Sequence, residues 1–338
     1  METRKVQLSG GTTYTISLPK PWAREYGIDS DSLVAIHPNG DASLLVEVVD
    51  DGKRTNRTTT VDVGTTDVSA LGQQVIALYV VGFDGITLSD RTGITDGQQR
   101  AVEEAIGGLS GFELLEVTDT RMRVKSLVDA ENVDIRKSAL RLRLVALSML
   151  DDALSAIADR DRELAYDVVR RDGEADKLFV MVTRHFRRSL ENLHEVEKLN
   201  NSRSELFEYY YACRQFERVA DHAEKMAAFV DQEEHPIPDA LVPSLEEFGD
   251  TARGVLDDAA DVVLTDADVE MAHDALARRD ALCRDIEAAD RELYDYGEPD
   301  VAYTTGLLLD SIERIANYGA NVAEIGIQQV LRMNATSY

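Results

Sequence analysis

The chain has 338 residues and carries 63 acidic against 36 basic side chains, a formal net charge of −27. That length holds two or three domains with substantial cores, and a surface so negative excludes general phosphate binding by the bulk of the protein. With 44% apolar residues in periodic patterns the chain is no disordered polyelectrolyte, and two cysteines exclude a disulfide framework.

The first residues, METRKVQLSGG, lack the apolar core of a signal peptide. Val6 to Leu8 and Thr12 to Leu18 alternate as short strands around Gly10-Gly11, and Pro19 or Pro21 opens a short helix from Trp22 to Tyr26 that Gly27 ends. Leu33 to Ile36 and Ser43 to Val48 flank Pro38-Asn39-Gly40-Asp41, a strong hairpin signal. So small a unit, with so few apolar positions, buries too little surface alone and is expected to form a homodimer or higher oligomer.

The order Arg4-Lys5-Val6, Ile16-Ser17-Leu18-Pro19-Lys20, Trp22, Gly27-Ile28 and Leu33-Val34 resembles the AbrB/SpoVT/MazE family. The resemblance implies a swapped-hairpin dimer that binds DNA. Charge agrees locally: residues 1–28 hold Arg4, Lys5, Lys20 and Arg24 against Glu2 and Glu25, a net of +2 inside a chain of −27. Phosphates approach most easily there. By position in the motif, these four basic residues are the candidate DNA contacts.

Asp50 to Asp67 reads as a loop or linker, rich in Thr, Gly, Asp and Arg. Beyond it, Val75 to Val81 reads as a buried strand, Asp96 to Ile106 as a helix, and Phe112 to Val117 with Met122 to Leu127 as a strand pair. The glycines between 82 and 111 fit neither G-x-G-x-x-G nor a P-loop, and no nucleophile with a base stands out. A connecting or dimerising α/β module is expected over 61–131.

From Val133 onward helical periodicity is continuous, broken near Pro236 to Pro243 and at Gly297 to Pro299. The longest compact apolar run, Leu142 to Leu150, is interrupted by Arg143 and is too short to span a bilayer, so a cytoplasmic protein without membrane insertion is expected. Six long helices are expected: Ile135 to Asp159, Arg160 to Leu199, Ser202 to Asp231, Pro243 to Thr265, Asp266 to Tyr296 and Pro299 to Met333. Cys213 and Cys283 fall in these patterns and read as buried free thiols.

This region repeats itself. Leu150-Asp151-Asp152-Ala153 matches Leu256-Asp257-Asp258-Ala259 at an offset of 106, Arg170-Arg171-Asp172 matches Arg278-Arg279-Asp280 at 108, and Glu217-Arg-Val-Ala-Asp221 matches Glu313-Arg-Ile-Ala-Asn317 at 96. The ordered recurrence is a tandem duplication of a three-helix unit, divided as 132–236 and 237–338. On the helix Cys213 to Val230 the apolar stripe is Phe216, Val219, Ala223, Met226 and Val230; Glu217 and Asp221 stack one turn apart away from it. Such a pair suits a hard cation, though solvated acidic faces are common.

Together these features resemble the PhoU family of phosphate-uptake regulators, which implies two tandem three-helix bundles. The fold expected for the whole is multidomain α+β: a β head, a small α/β domain and an all-α tandem of bundles. The family's hallmark is a Glu/Asp-x-x-x-Asp motif on two helices of each repeat, gathering divalent or trivalent metal ions. The first repeat has both, Asp172-Gly-Glu-Ala-Asp176 and Glu217 to Asp221. In the second, Asp280 is followed at i+4 by Arg284 and Glu313 by Asn317, although Asp310 lies one turn before Glu313. The candidate metal residues are therefore Asp172, Asp176, Glu217 and Asp221, with a degenerate set of Asp280, Asp310 and Glu313.

An enzyme is disfavoured. Glu191-x-x-His194 and Glu270-x-x-His273 resemble half-motifs of di-iron proteins, but they lie 79 residues apart, off the offsets of the duplication. The resemblances imply a transcriptional regulator of phosphate uptake with DNA as a partner. The alternative is an adaptor that inhibits a phosphate transporter or sensor kinase by protein contact. The acidic surface with only eight lysines resembles proteins of salt-loving archaea, where strong brine screens self-repulsion.

Overall fold

The computed structural model describes residues 3–38, 43–48, 56–231, 237–293 and 297–335. It has two compact units, Met1–Asn56 and Arg57–Tyr338. In the first, β1 (Gln7–Ser9) and β2 (Thr13–Thr15) form an antiparallel hairpin. Gly10 and Gly11 turn it at φ of 63° and 78°, where an L side chain is strained. The short α1 (Lys20–Glu25) starts after Pro19, and β3 (Val34–Pro38) pairs antiparallel with β4 (Leu44–Val48). The expected Asn39-Gly40 turn lies outside the described residues. None of the described residues in this unit is buried, and Val6, Leu8, Tyr14 and Ile16 are 51–76% exposed.

The second unit begins with a four-stranded sheet of order β5-β6-β8-β7, built from β5 (Thr58–Asp62), β6 (Gly85–Ser89), β7 (Phe112–Thr118) and β8 (Arg121–Ser126). β5 and β6 are parallel and the other pairs antiparallel. Two expectations are corrected here. The segment expected as linker contains β5, whose alternating burial needs only Val61 and its threonines.

The strand expected at Val75 to Val81 is the end of a helix, α2 (Val68–Val81). Asp67 caps it by accepting from the Ser69 backbone N–H, Gly82 ends it at φ 102°, and Leu71, Val75 and Tyr79 bury at intervals of four. A short apolar run fits a buried strand or a buried helix alike. α3 (Asp96–Gly107) forms as expected, with a capping box between Thr95 and Gln98. These helices cover one face of the sheet, and Tyr79 meets Phe112 edge-on at 4.7 Å between ring centroids.

Among the described residues seven α-helices follow: α4 (Ile135–Asp159), α5 (Arg162–Glu191), α6 (Leu193–Leu199), α7 (Arg203–Ala228), α8 (Val242–Leu264), α9 (Val269–Leu293) and α10 (Pro299–Ala335). The helix expected from Arg160 to Leu199 is thus two. Asn192 leaves the helical conformation at φ −133° and its side chain caps α6 by accepting from the His194 N–H at 2.9 Å. α4, α5 and α7 pack together as one bundle and α8, α9 and α10 as a second; α4 meets α8 and α7 meets α10, so one apolar core runs through both. Ion pairs fasten the join: Arg143 to Asp257 and Asp261, Arg253 to Asp151, and a bidentate Arg332 to Glu208 at 2.9 and 2.8 Å.

The α/β domain is mounted on α5. Arg184, with 4% of its side chain exposed, donates to the Tyr79 and Phe83 carbonyls and to Asp84 at 2.9 Å. Arg188 donates to the Gly82 carbonyl at 3.2 Å and pairs with Asp84 and Glu195. Arg184 thus adds a second donor to the Tyr79 carbonyl, which already accepts from the Gly82 N–H at 2.9 Å, and the two guanidiniums take the Gly82 and Phe83 carbonyls just past the end of α2. A Cβ on Gly82 would stand 2.8 Å from Arg188 Cγ, so glycine is required for close approach as well as for its φ. Burial pushes the Glu195 carboxyl up, but His185 and Arg188 together hold it below the usual range. Among the described residues, no helix is long and apolar enough to cross a membrane.

Candidate metal centre

α5 and α7 lie side by side in the first bundle and bring together carboxylates far apart in sequence. α5 starts at Asp161, whose side chain accepts from the Glu163 and Leu164 N–H groups; α7 starts with a capping box of Ser202 and Glu205. Ala165, Val168, Ala175 and Val182 bury one stripe of α5. That packing fixes Asp172 and Asp176, one turn apart on α5, against Asp221 on α7.

Each of these three aspartates offers an oxygen, and the three oxygens lie within 4.8 Å of one another. A calcium-sized ion with ligands at about 2.4 Å spans oxygens up to about 4.8 Å apart, so the triad fits a hard cation. A second observation agrees. Asp172 Oδ1 is buried and has no hydrogen-bond partner, a costly state for a carboxylate oxygen unless a cation or a proton satisfies it.

The electrostatics carry the same strain. Burial, then Asp176, Glu224 and Asp221, push Asp172 up to about 7. Asp176 and Asp221 are exposed at the surface, and partial desolvation among the clustered groups raises Asp176 against the opposing Arg214, and Asp221, with Asp176, against Arg214 and Arg218. Glu224 is raised by burial and by the same two aspartates. It belongs to the acidic field of the site, and its signal in sequence was its place three residues after Asp221 on the same helix.

Glu217 takes a different part. It is 8% exposed, accepts a bidentate contact from Arg214 Nη1 at 2.9 and 3.0 Å, and is pushed up to about 7 by burial and then Asp221. It is not among the three converging groups. α4, α5 and α10 all pack on α7, so Glu217 is covered on the side opposite the apolar stripe, while Asp221 one turn on stays exposed.

The second bundle is read through its ion pairs. Arg171 donates to Ser148 and Asp152 at 3.0 and 2.6 Å in the first bundle. In the second, Arg278 pairs with Asp258 and lies against Gly254. Ser148 and Asp152 map onto Gly254 and Asp258 at 106, so Arg171 maps onto Arg278 at 107, one less than the offset of 108 read from Arg-Arg-Asp. The α7 to α10 offset of 96 stands: His222 and Tyr318, equivalent at 96, touch each other, Nε2 to hydroxyl at 3.4 Å. Asp172, Asp176 and Asp221 therefore correspond to Arg279, Cys283 and Asn317.

Asp280 lies one position beyond the equivalent of Asp172 and contacts the Arg279 Nε at 2.9 Å. Asp310 accepts from Arg314 at 2.9 Å, and Glu313 corresponds to Glu217. Among the described residues these three enter no converging group of metal-competent side chains. Neither do the two Glu-x-x-His pairs; Glu191 instead pairs with Arg57 at 2.9 Å and His194 lies 3.4 Å from Glu197. Cys213 is buried, as expected, and Cys283 is partly exposed. Arg4, Lys5, Lys20 and Arg24 are all exposed in the first unit.

Residues 139–230, which contain the whole aspartate triad, match the family model described as PhoU domain. A phosphate-specific transport system accessory protein PhoU homolog of Caulobacter vibrioides is 29% identical over 221 residues, covering 61% of this chain and 90% of that protein. Among solved structures, PhoU from Pseudomonas aeruginosa aligns with a TM-score of 0.49 at 22% identity, over 60% of this chain and 97% of its own. The phosphate transport system regulatory protein PhoU from Streptococcus pneumoniae aligns at 0.48 and 19%, over 57% and 91%. The domain match and the curated relative support the PhoU family for the helical part of the chain.

Proposed function

We propose that this chain is a non-enzymatic accessory regulator of phosphate transport whose first helical bundle binds a divalent or trivalent metal ion. The observation that carries the reading is the convergence of Asp172, Asp176 and Asp221 across α5 and α7, inside the segment that matches the PhoU domain. Asp172, Asp176 and Asp221 would hold the ion, with Glu224 adding negative field and Glu217 kept in place by Arg214. When bound, the cation would neutralise the carboxylates and tie α5 to α7. Elemental analysis of wild type against Asp172→Asn with Asp221→Asn tests it; equal metal content in both would sink the assignment.

The finer reading is that the first unit is an AbrB-like head that binds DNA as a homodimer, making the chain a transcriptional regulator of phosphate-transport genes. Two observations support it: exposed Arg4, Lys5, Lys20 and Arg24 within residues 1–28, whose net charge is +2, and apolar side chains left without a core, which a second copy would cover. The rival is an adaptor that contacts a phosphate transporter or sensor kinase, its head serving only to dimerise. The curated relative, named for a transport-system accessory role, fits the adaptor at least as well. Lys20→Glu with Arg24→Glu separates them. Loss of promoter binding together with loss of regulation favours the DNA reading, and regulation that persists favours the adaptor.

A further inference from the structure

We propose that the Arg279 guanidinium is a built-in cation of the second bundle, standing where the first bundle takes a metal ion, so that only one of the two bundles answers to metal. The inference rests on the metal reading of Asp172, Asp176 and Asp221.

Three carboxylates of the first bundle are replaced together, by an arginine, a cysteine and an asparagine, at Arg279, Cys283 and Asn317. The formal charge at these three positions passes from −3 to +1. Losing the carboxylates alone would leave an ordinary polar seam. Here one of them is exchanged for the opposite charge, and the partner on the facing helix becomes a neutral acceptor.

The two changes fit each other. Arg279 Nη1 donates to Asn317 Oδ1 at 2.9 Å, and its buried Nε lies 2.9 Å from Asp280 Oδ1 as an ion pair without hydrogen-bond alignment. The positive charge thus bridges α9 to α10, as a metal would bridge α5 to α7. An aspartate at 317 is unnecessary, because the amide oxygen accepts the hydrogen bond without adding charge.

The bridges differ in permanence. A guanidinium keeps its charge at every pH the fold meets, so the α9–α10 bridge is always made. The α5–α7 bridge depends on the concentration of the ion. Duplication has therefore produced one constitutive copy and one conditional copy of the same contact.

The test uses the full chain with Mn2+ as probe, read by electron paramagnetic resonance for binding and by hydrogen exchange for each helix. In the Asp172→Asn, Asp221→Asn background, adding Arg279→Asp, Cys283→Asp and Asn317→Asp is expected to restore Mn2+ binding at the wild-type stoichiometry; a folded variant that binds none overturns the proposal. In wild type, Mn2+ is expected to slow exchange in α5 and α7 and leave α9 and α10 unchanged; slowing in α9 and α10 overturns it.

In chelator-treated protein, Arg279→Gln is expected to speed exchange in α9 and α10 about tenfold, the scale of one charged hydrogen bond. This arm needs no metal. If α5 and α7 ignore Mn2+, the first-bundle reading fails by itself, whereas unchanged exchange in Arg279→Gln counts against the built-in cation alone.

Discussion

Asp172 holds its proton where an unfolded chain has lost it. Its folded pKa, near 7, exceeds the ordinary 3.8 because burial and the neighbouring carboxylates disfavour the charged form. In the metal-free chain this group therefore contributes stability in full below about pH 4 and loses it as pH rises through 7. The melting temperature of chelator-treated wild type is expected to fall between pH 5 and 8 relative to Asp172→Asn; parallel curves would show the carboxyl to be unstrained. At the proposed metal site the trend would reverse, since binding would have to expel the proton and so would tighten as pH rises through 7. Arg184 is the other residue whose removal should be felt. Arg184→Met keeps much of the bulk but strands the Phe83 carbonyl, takes one of two donors from the Tyr79 carbonyl and leaves Asp84 with Arg188 and the Arg57 backbone N–H. Urea unfolding should register a loss of about 3 kcal/mol, the usual scale for breaking a buried pair from one side. Spacing alone offered Glu217 with Asp221, and the PhoU resemblance added Asp172 and Asp176, but neither could say that Glu217 is turned to Arg214, because that depends on which faces of α7 its neighbours cover.

At the scale of elements, helices with a charged outer face were readable and the apolar α2 was not. The bounds of α4 coincide with the expected Ile135 to Asp159, whereas α2, inward on its apolar side and clasped at its end by α5, presents a run that a strand could equally carry. The break at Asn192 escaped notice because an asparagine inside a polar stretch is a cap only if the chain turns there. Helix contact supplies a sharper test. A Cβ on Gly319 of α10 would meet the Leu256 backbone N of α8 at 2.9 Å and its Cα at 3.0 Å, so neither helix can yield locally. Gly319→Ala should destabilise by about 1–3 kcal/mol through overpacking. Gly173 of α5 has nothing within 4 Å, and Gly173→Ala should gain up to about 1 kcal/mol from helix propensity. Thermal melts of the pair that moved in the same direction would contradict the packing described.

Over the whole molecule, the duplication was plain in sequence but its register was not. Arg-Arg-Asp aligned on itself at 108, while the ion pairs of Arg171 and Arg278 set 107; a one-residue slip on a helix turns a side chain by about 100° and exchanges Asp280 for Arg279 at the site. Charge acts at this scale too. A net −27 repels itself across the fold, and added salt screens that repulsion. The melting temperature is expected to climb between about 0.1 and 2 M KCl, where the Debye length shrinks from about 10 Å to below 3 Å; a flat or falling curve would mean that the ion pairs joining the bundles outweigh the repulsion.

α5 is a lever as well as a wall. Asp176 and Arg188 lie on one helix twelve residues apart, about 18 Å at 1.5 Å per residue. The near end is gripped, or released, at the aspartate triad; the far end holds the C-terminus of α2 in two guanidiniums. A tilt of α5 by about 10° pivoting at the triad carries its far end by about 3 Å, on that same helical rise, and the four-stranded sheet must travel with it or tear the Arg184 and Arg188 contacts.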